Sequence, residues 1–191
     1  LAQDKPKTKP FPEITTPRLS LTAISANHAA QLHEVWTDPR VLEYMVLEPF
    51  TEIAQTQEMM CILQELFPSG EGIRWAIALR PGEKILGTCG FHNWKKEHAR
   101  AELGYEMDSR YWRKGLMTEA ISPALDYGFR EMGLNRVEAF VTVGNQRSLA
   151  FLEKAGFSLE GTLRHYEWAR GLFQDQWVFS VLRKEWECKR N

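Results

Sequence analysis

Tyr111-Trp112-Arg113-Lys114-Gly115-Leu116-Met117-Thr118-Glu119-Ala120 is the stretch whose reading decides the fold. Upstream of it, Ala101, Leu103, Tyr105 and Met107 alternate with Glu102, Gly104 and Glu106, the period of a strand, up to the turn signal Asp108-Ser109. Downstream, Met117, Ala120, Ile121, Ala124, Leu125 and Met132 recur at helical spacing, and Gly133 is placed to end the helix. A strand therefore passes into a helix across a basic turn. The first turn of a helix leaves backbone N–H groups unpaired and carries roughly +0.5 of an elementary charge, so it attracts anions. Gly115 lets a phosphate approach, Arg113 and Lys114 add cationic donors, and Thr118 adds a hydroxyl. This set suits a pyrophosphate better than a single carboxylate. Taken alone, the stretch also fits an ordinary strand–turn–helix with a basic turn.

Further along, Val141-Thr142-Val143-Gly144-Asn145-Gln146-Arg147-Ser148-Leu149-Ala150-Phe151-Leu152-Glu153-Lys154-Ala155-Gly156-Phe157 repeats the plan of strand, polar turn, short helix and glycine stop. Together the two stretches resemble the acyl-CoA-binding segments of the GNAT acetyltransferase superfamily. Trp112 stands where that superfamily usually has Gln or Arg, and Met117 where it has Gly or Ala. The Tyr-Trp-x-x-Gly-x-Met-Thr-Glu-Ala run is instead similar to the ribosomal-protein-alanine N-acetyltransferase (RimJ/RimL-like) branch. The resemblance extends to Thr16-Pro17-Arg18-Leu19, Gly90-Phe91-His92-Asn93-Trp94, Glu102-Leu103-Gly104-Tyr105-Glu106, Glu160-Gly161 and Asp175, all in the same order.

Around these motifs the chain alternates strand and helix. A strand over Arg18–Ala23 precedes a helical pattern at Ala29, Leu32, Val35 and Trp36, broken at Asp38-Pro39. A second helix runs from Thr51 or Glu52 to Phe67, closed by Pro68-Ser69-Gly70. Ile73–Leu79 and Ile85–Trp94 form an antiparallel hairpin through Arg80-Pro81-Gly82-Glu83, and Arg100–Met107 is a third strand. The long helix spans Gly115 to Met132, with Pro123 predicting a kink near Glu119. Arg136–Val143 is a strand, Ser148–Ala155 a helix, and Ser158–Trp168 with Gln174–Arg183 a closing hairpin around Gly171. The order is β-α-α-β-β-β-α-β-α-β-β. The resemblance implies the α+β GNAT fold, with a mostly antiparallel sheet of about seven strands flanked by helices.

The 191 residues, 43% hydrophobic and 12% aromatic, fit one domain, expected over residues 13–187. Leu1 to Pro12, with three lysines and three prolines, is expected to be a flexible leader, neither signal peptide nor transmembrane helix. Twenty-four Lys and Arg against 25 Asp and Glu give a net charge of -1, which points away from nucleic acid and membrane surfaces as partners. Three cysteines without ligand or disulfide spacing suit a reducing, cytoplasmic setting, and the five histidines show no metal-ligand spacing. His92 and His165 are the two that could line a site. No Walker loop, HExxH, GxGxxG or GxSxG occurs.

The resemblance implies acetyl-CoA as co-substrate, no metal, and acetyl transfer to a primary amine. The expected acceptor is a protein N-terminus, with a small-molecule amine as the alternative and a non-catalytic acyl-CoA-binding module as a reading from another class. A homodimer is left open. An α-amino group with pKa near ~7.8 is roughly a third neutral at pH 7.5, whereas a lysine near ~10.4 is about 0.1% neutral. An enzyme for N-termini can therefore work with a weak or water-relayed base. Glu102 and Glu167 are the two candidates, each also readable as a solvated strand residue. The branch places its general base at the position of Glu167, and other N-terminal acetyltransferases on the strand of Glu102. The tyrosine that protonates the leaving thiolate in much of the superfamily is replaced by Leu152. Ser148 takes the position of the branch's proposed acid, and as a first-turn residue it also suits a cap. For the cofactor, the resemblance implies pantetheine pairing along the strand ending at Met107, with Gly104 permitting a bulge. It implies a pyrophosphate at Arg113, Lys114, Gly115, Leu116, Met117 and Thr118, and an amide contact from Asn145. Arg147 and Lys154 are candidates for nucleotide phosphates or for solvated surface. Acceptor loops are expected around Leu42–Phe50 and Trp168–Phe173, with Tyr44, Met45, Phe50, Trp168 and Phe173 as lining.

Overall fold

The computed structural model describes residues 10–189. Of the expected leader, residues 1–9 lie outside the described residues. Its end is docked: the Phe11 ring meets Phe67 and Trp75 edge-on at 5.3 and 6.3 Å, and the Trp75 indole donates to the Pro12 carbonyl at 2.7 Å.

The elements follow in the order β1 (Ile14–Thr15), β2 (Leu19–Ala23), α1 (Ala29–Thr37), α2 (Pro39–Leu42), α3 (Ile53–Ser69), β3 (Ile73–Leu79), β4 (Lys84–Lys95) and β5 (Arg100–Met107). Then come α4 (Leu116–Arg130), β6 (Arg136–Thr142), α5 (Gln146–Ala155), β7 (Ser158–Ala169), β8 (Leu172–Leu182) and α6 (Arg183–Cys188). Among the described residues they build one sheet of eight strands in the order β1-β2-β3-β4-β5-β6-β8-β7, one more than the expected sheet of about seven. The added strand, β1, has two residues, too few to show any alternation. α3 also runs two residues further than its loop signal implied, to Ser69. Pro68 sits inside its last turn, and the helix ends at Gly70 with φ 71°. α4 continues through Pro123.

All strand pairings are antiparallel except β5 with β6. Six of the seven residues of β3 are buried, because both faces of the sheet are covered. On one face α4 presents Leu116, Ala120, Ile121, Ala124, Leu125 and Phe129 to Trp75, Phe91, Val137 and Phe179. On the other, Leu32, Val35 and Trp36 of α1 and Met60 of α3 pack over Ala76, Ala78 and Ile85. Each fully buried Leu, Ile or Phe contributes about 1.5–3 kcal/mol, so this two-sided core is what holds the sheet rigid under the site.

The feature that makes room for a site is the parallel pair. β5 and β6 are joined only through Arg100↔Arg136, Ala101↔Val137 and Glu102↔Glu138. Beyond Glu102, β5 keeps its ladder with β4 as far as Met107 while its other edge parts from β6. The expected bulge at Gly104 is absent, since Gly104 stays in register with Gly90. The sheet opens by splaying instead, and Gly104 serves another purpose: a Cβ there would collide with the Arg74 guanidinium and come within 3.1 Å of the His92 ring.

Candidate active site

The splay leaves a cavity of about 1220 Å³ between β5, β6 and the loops above them. Drug-sized ligands occupy roughly 300–1,000 Å³, so there is room for a large ligand and a second reactant together.

One end is formed by the start of α4. Gly115 is the cap residue, with φ 74°, and the helix begins at Leu116. The Glu119 amide is already closed onto the Gly115 carbonyl at 3.1 Å, so the amides of Leu116, Met117 and Thr118 are the ones a helix leaves without an internal acceptor. All three residues line the cavity, as do Arg113 and Gly115. Lys114 does not. Its ammonium lies 4.7 Å from the centre of the Tyr111 ring, and its carbonyl is taken by Arg18 Nη1 at 3.0 Å. Trp112 turns its indole N–H to the Met107 carbonyl at 2.7 Å, pinning the turn to the end of β5.

The opposing wall comes from α5. Asn145 caps this helix, its Oδ1 accepting from the Ser148 amide at 3.1 Å. Capping thus falls to Asn145, and the Ser148 hydroxyl is left for other work. Asn145, Arg147, Ser148 and Lys154 all face the cavity with Met107. Arg147 reaches across it, paired to Glu43 at 2.6 Å and lying over the rings of Trp112 and Tyr44 at 4.7 and 5.8 Å. Leu152, by contrast, is fully buried in the core.

Tyr105 is the group that sequence reasoning missed. Its hydroxyl lies 3.1 Å from Ser148 Oγ, and its ring packs edge-on against Phe151 at 4.9 Å. Burial pushes the phenol well above its ordinary range, only partly offset by Ser148, so it stays protonated at neutral pH and is able to donate. In the sequence Tyr105 reads as an apolar strand residue, and the only signal was the absence of a tyrosine at position 152.

The other end carries carboxylates. Glu102 faces His92 across β4 and β5, with Nε2 to Oε2 3.5 Å apart. Burial would raise the Glu102 carboxyl, but hydrogen bonds from His92 and Asn93 and the charges of His92 and Arg100 outweigh it and hold the group below its usual range. It is accordingly a weak base. Glu167 reaches the cavity from β7 by way of a bulge. Leu163 pairs with Gln176 and Glu167 with Gln174, so three residues oppose Asp175 alone. Asp175 Oδ1 accepts from the His165 amide at 2.8 Å, and His165 has φ 50°. An unbroken strand points neighbours to opposite faces, yet here both Tyr166 and Glu167 line the cavity.

Beneath this end Arg74 and Glu106 form a buried ion pair, with Thr88 Oγ1 accepting from Arg74 Nε at 2.6 Å and donating to Glu106. Arg74→Met, which strands a buried carboxylate, is expected to lower stability by about 3–5 kcal/mol in urea titration, with much of the loss recovered when Glu106 becomes Leu as well. Of the expected acceptor-side groups, Tyr44, Met45 and His92 line the cavity. Phe50 packs on Trp36, His165 stacks on Phe173, and Trp168 and Phe173 are exposed on the hairpin. Arg170 at the hairpin tip donates to the Leu42 and Glu43 carbonyls, which joins the two expected acceptor loops. Among the described residues, no group of three or more His, Cys, Asp or Glu comes together as a metal site.

The splayed parallel pair and the helix start with unpaired amides leave an open cleft suited to an anionic ligand lying along the free edge of β5. Residues 18–158 match the family model described as an acetyltransferase (GNAT) domain, and the chain belongs to that family. It is 37% identical over 171 residues, covering 90% of this chain and 96% of the relative, to the uncharacterized N-acetyltransferase p20 of Bacillus licheniformis. It is 35% identical over 106 residues to the putative ribosomal N-acetyltransferase YdaF of Bacillus subtilis, spanning 56% of this chain and 58% of that one. Among solved structures, RimL, a ribosomal L7/L12 alpha-N-protein acetyltransferase in complex with coenzyme A, superposes with a TM-score of 0.81 at 21% identity, over 90% of this chain and 98% of that one. Spermidine N-acetyltransferase from Vibrio cholerae, in complex with CoA and spermine, gives 0.78 at 20%, over 90% and 99%. The protein is an N-acetyltransferase.

Proposed function

We propose that the acceptor is the N-terminal α-amine of a protein, with ribosomal proteins as the class of substrate. The observation that carries this reading is that both candidate bases lining the cavity, Glu102 and Glu167, are carboxylates, which are weak proton acceptors, and that His92 and Asn93 stabilise the charged form of Glu102 further. A site with so weak a base suits an amine that is already partly neutral, as an α-amine is and a lysine or polyamine is not. The similarity to YdaF, a putative ribosomal N-acetyltransferase, supports the same class.

In this reading the amine nitrogen attacks the thioester carbonyl carbon, and its proton leaves to Glu167, directly or through water. The tetrahedral intermediate collapses with cleavage of the C–S bond, and the thiolate takes a proton from Ser148, oriented by the Tyr105 hydroxyl; solvent then returns a proton to Ser148 while Glu167 releases the amine's proton to solvent. The pyrophosphate rests on the Leu116, Met117 and Thr118 amides, flanked by Arg113, Arg147 and Lys154, and the pantetheine runs along the free edge of β5, where Asn145 offers its amide nitrogen. The three unpaired cysteines fit a cytoplasmic setting.

A small-molecule amine is the second reading, favoured by Glu102 and Glu167 facing the same cavity, since two carboxylates attract a polycation. Three acceptors separate the two: a peptide with a free α-amine, the same peptide N-blocked but bearing a lysine, and spermidine. The α-amine is expected to lead in kcat/KM by about 100-fold or more, following the neutral fractions of the amines. Preference for spermidine would overturn the proposal while leaving acetyl transfer intact.

A further inference from the structure

The Thr16-Pro17-Arg18-Leu19 motif leads into β2, its Arg18 standing 101 positions before Glu119, yet it closes on the phosphate turn. Thr16 Oγ1 donates to Glu119 Oε1 at 2.6 Å, the Arg18 amide donates to the same oxygen at 2.8 Å, and Arg18 Nε donates to Glu119 Oε2 at 2.6 Å. The same guanidinium sends Nη1 to the Lys114 carbonyl at 3.0 Å, and its Nη2 lies 3.6 Å from where a Cβ on Gly115 would stand. One side chain therefore holds both the last peptide before Gly115 and the first-turn carboxylate after it.

We infer that Arg18 is a positioning residue for the anion-binding start of α4, acting through the Lys114 peptide and the Glu119 carboxylate. This rests on the reading that the pyrophosphate of acetyl-CoA binds there. Two physical effects support it. A trans peptide points its carbonyl and its N–H in opposite directions, so anchoring the Lys114 carbonyl to Arg18 aims the Gly115 N–H away from Arg18. A carboxylate in the first turn also repels an incoming anion, and Glu119 is there by sequence. The guanidinium neutralises it through Nε on Oε2, while the Arg18 amide and the Thr16 hydroxyl hold Oε1. Burial would raise the Glu119 carboxyl, but Thr16 and Arg18 hold it below its usual range, so it remains an anion that needs this partner.

The test compares two thioesters by calorimetric titration, acetyl-CoA and acetyl-pantetheine, which lacks the pyrophosphate and nucleotide. Wild-type protein is expected to bind acetyl-CoA far more tightly. In Arg18→Gln the acetyl-CoA Kd is expected to rise about tenfold, the worth of a charge-assisted hydrogen bond. The acetyl-pantetheine Kd is expected to move less than twofold. Arg18→Lys, which keeps the charge but lacks the fork, is expected to behave like Arg18→Gln. Full recovery in Arg18→Lys would overturn the positioning role in favour of bulk charge. Equal weakening of both thioesters would overturn it in favour of general destabilisation, which a fall in Tm would accompany. If wild-type protein binds the two thioesters equally, the phosphate-site reading itself fails and takes the inference with it.

Discussion

Gly115→Val is expected to raise the Kd for acetyl-CoA about 30-fold, from a strain of about 2 kcal/mol for a β-branched residue in the left-handed region. Gly115 has φ 74° and caps α4, so the first-turn amides of the cavity-lining residues after it keep their direction only while that conformation holds. Without ligand, the variant can relax the turn and shed the strain. Binding must then restore it, so the loss falls on affinity rather than on folding. The methyl groups of valine would also extend toward Arg18, whose Nη2 already stands 3.6 Å from the Cβ position. Gly115→Asn should lose only a few-fold, because asparagine visits this region far more readily. Calorimetric titration of both variants separates the backbone effect from simple bulk.

Glu167→Gln and Ser148→Ala act at the other end and should show the opposite pattern. Each is expected to lower kcat by about 100-fold or more, the range for loss of a general base or acid, while the acetyl-CoA Kd stays within about twofold. For Ser148→Ala the structure removes the usual objection. The cap of α5 is made by Asn145 to the backbone amide of residue 148, which alanine retains, so Tm should hold while turnover falls. Tyr105→Phe keeps the ring against Phe151 and removes only the hydroxyl beside Ser148, so it should lower kcat by a smaller factor than Ser148→Ala. If turnover on a true acceptor survives loss of both Glu167 and Ser148, their assignment is wrong even though the fold stands.

What the sequence could show was set by distance along the chain. The helix at 116–130 and the glycine before it were legible because periodicity and a turn residue are local signals, and so was the β7–β8 hairpin around Gly171. β1 was not legible, since a two-residue strand exists only by pairing with β2. The reason for Gly104 was hidden because its crowding comes from Arg74 and His92 on neighbouring strands, where a bulge was the simpler local reading. Tyr105 and Ser148 meet across 43 positions, and Arg18 and Glu119 across 101, contacts that no spacing rule encodes. Lys114 shows the reverse case. Its charge beside the glycine drew it into the expected phosphate set, whereas the turn points it over Tyr111.

The most direct test of the acceptor reading is mass spectrometry of ribosomal proteins stripped of acetyl groups and incubated with this enzyme and acetyl-CoA, beside a panel of small amines. One acetyl group is expected on an N-terminal peptide, absent without enzyme and lost with Glu167→Gln. Acetylated spermidine or another small amine, with every protein N-terminus left unmodified, would contradict that reading.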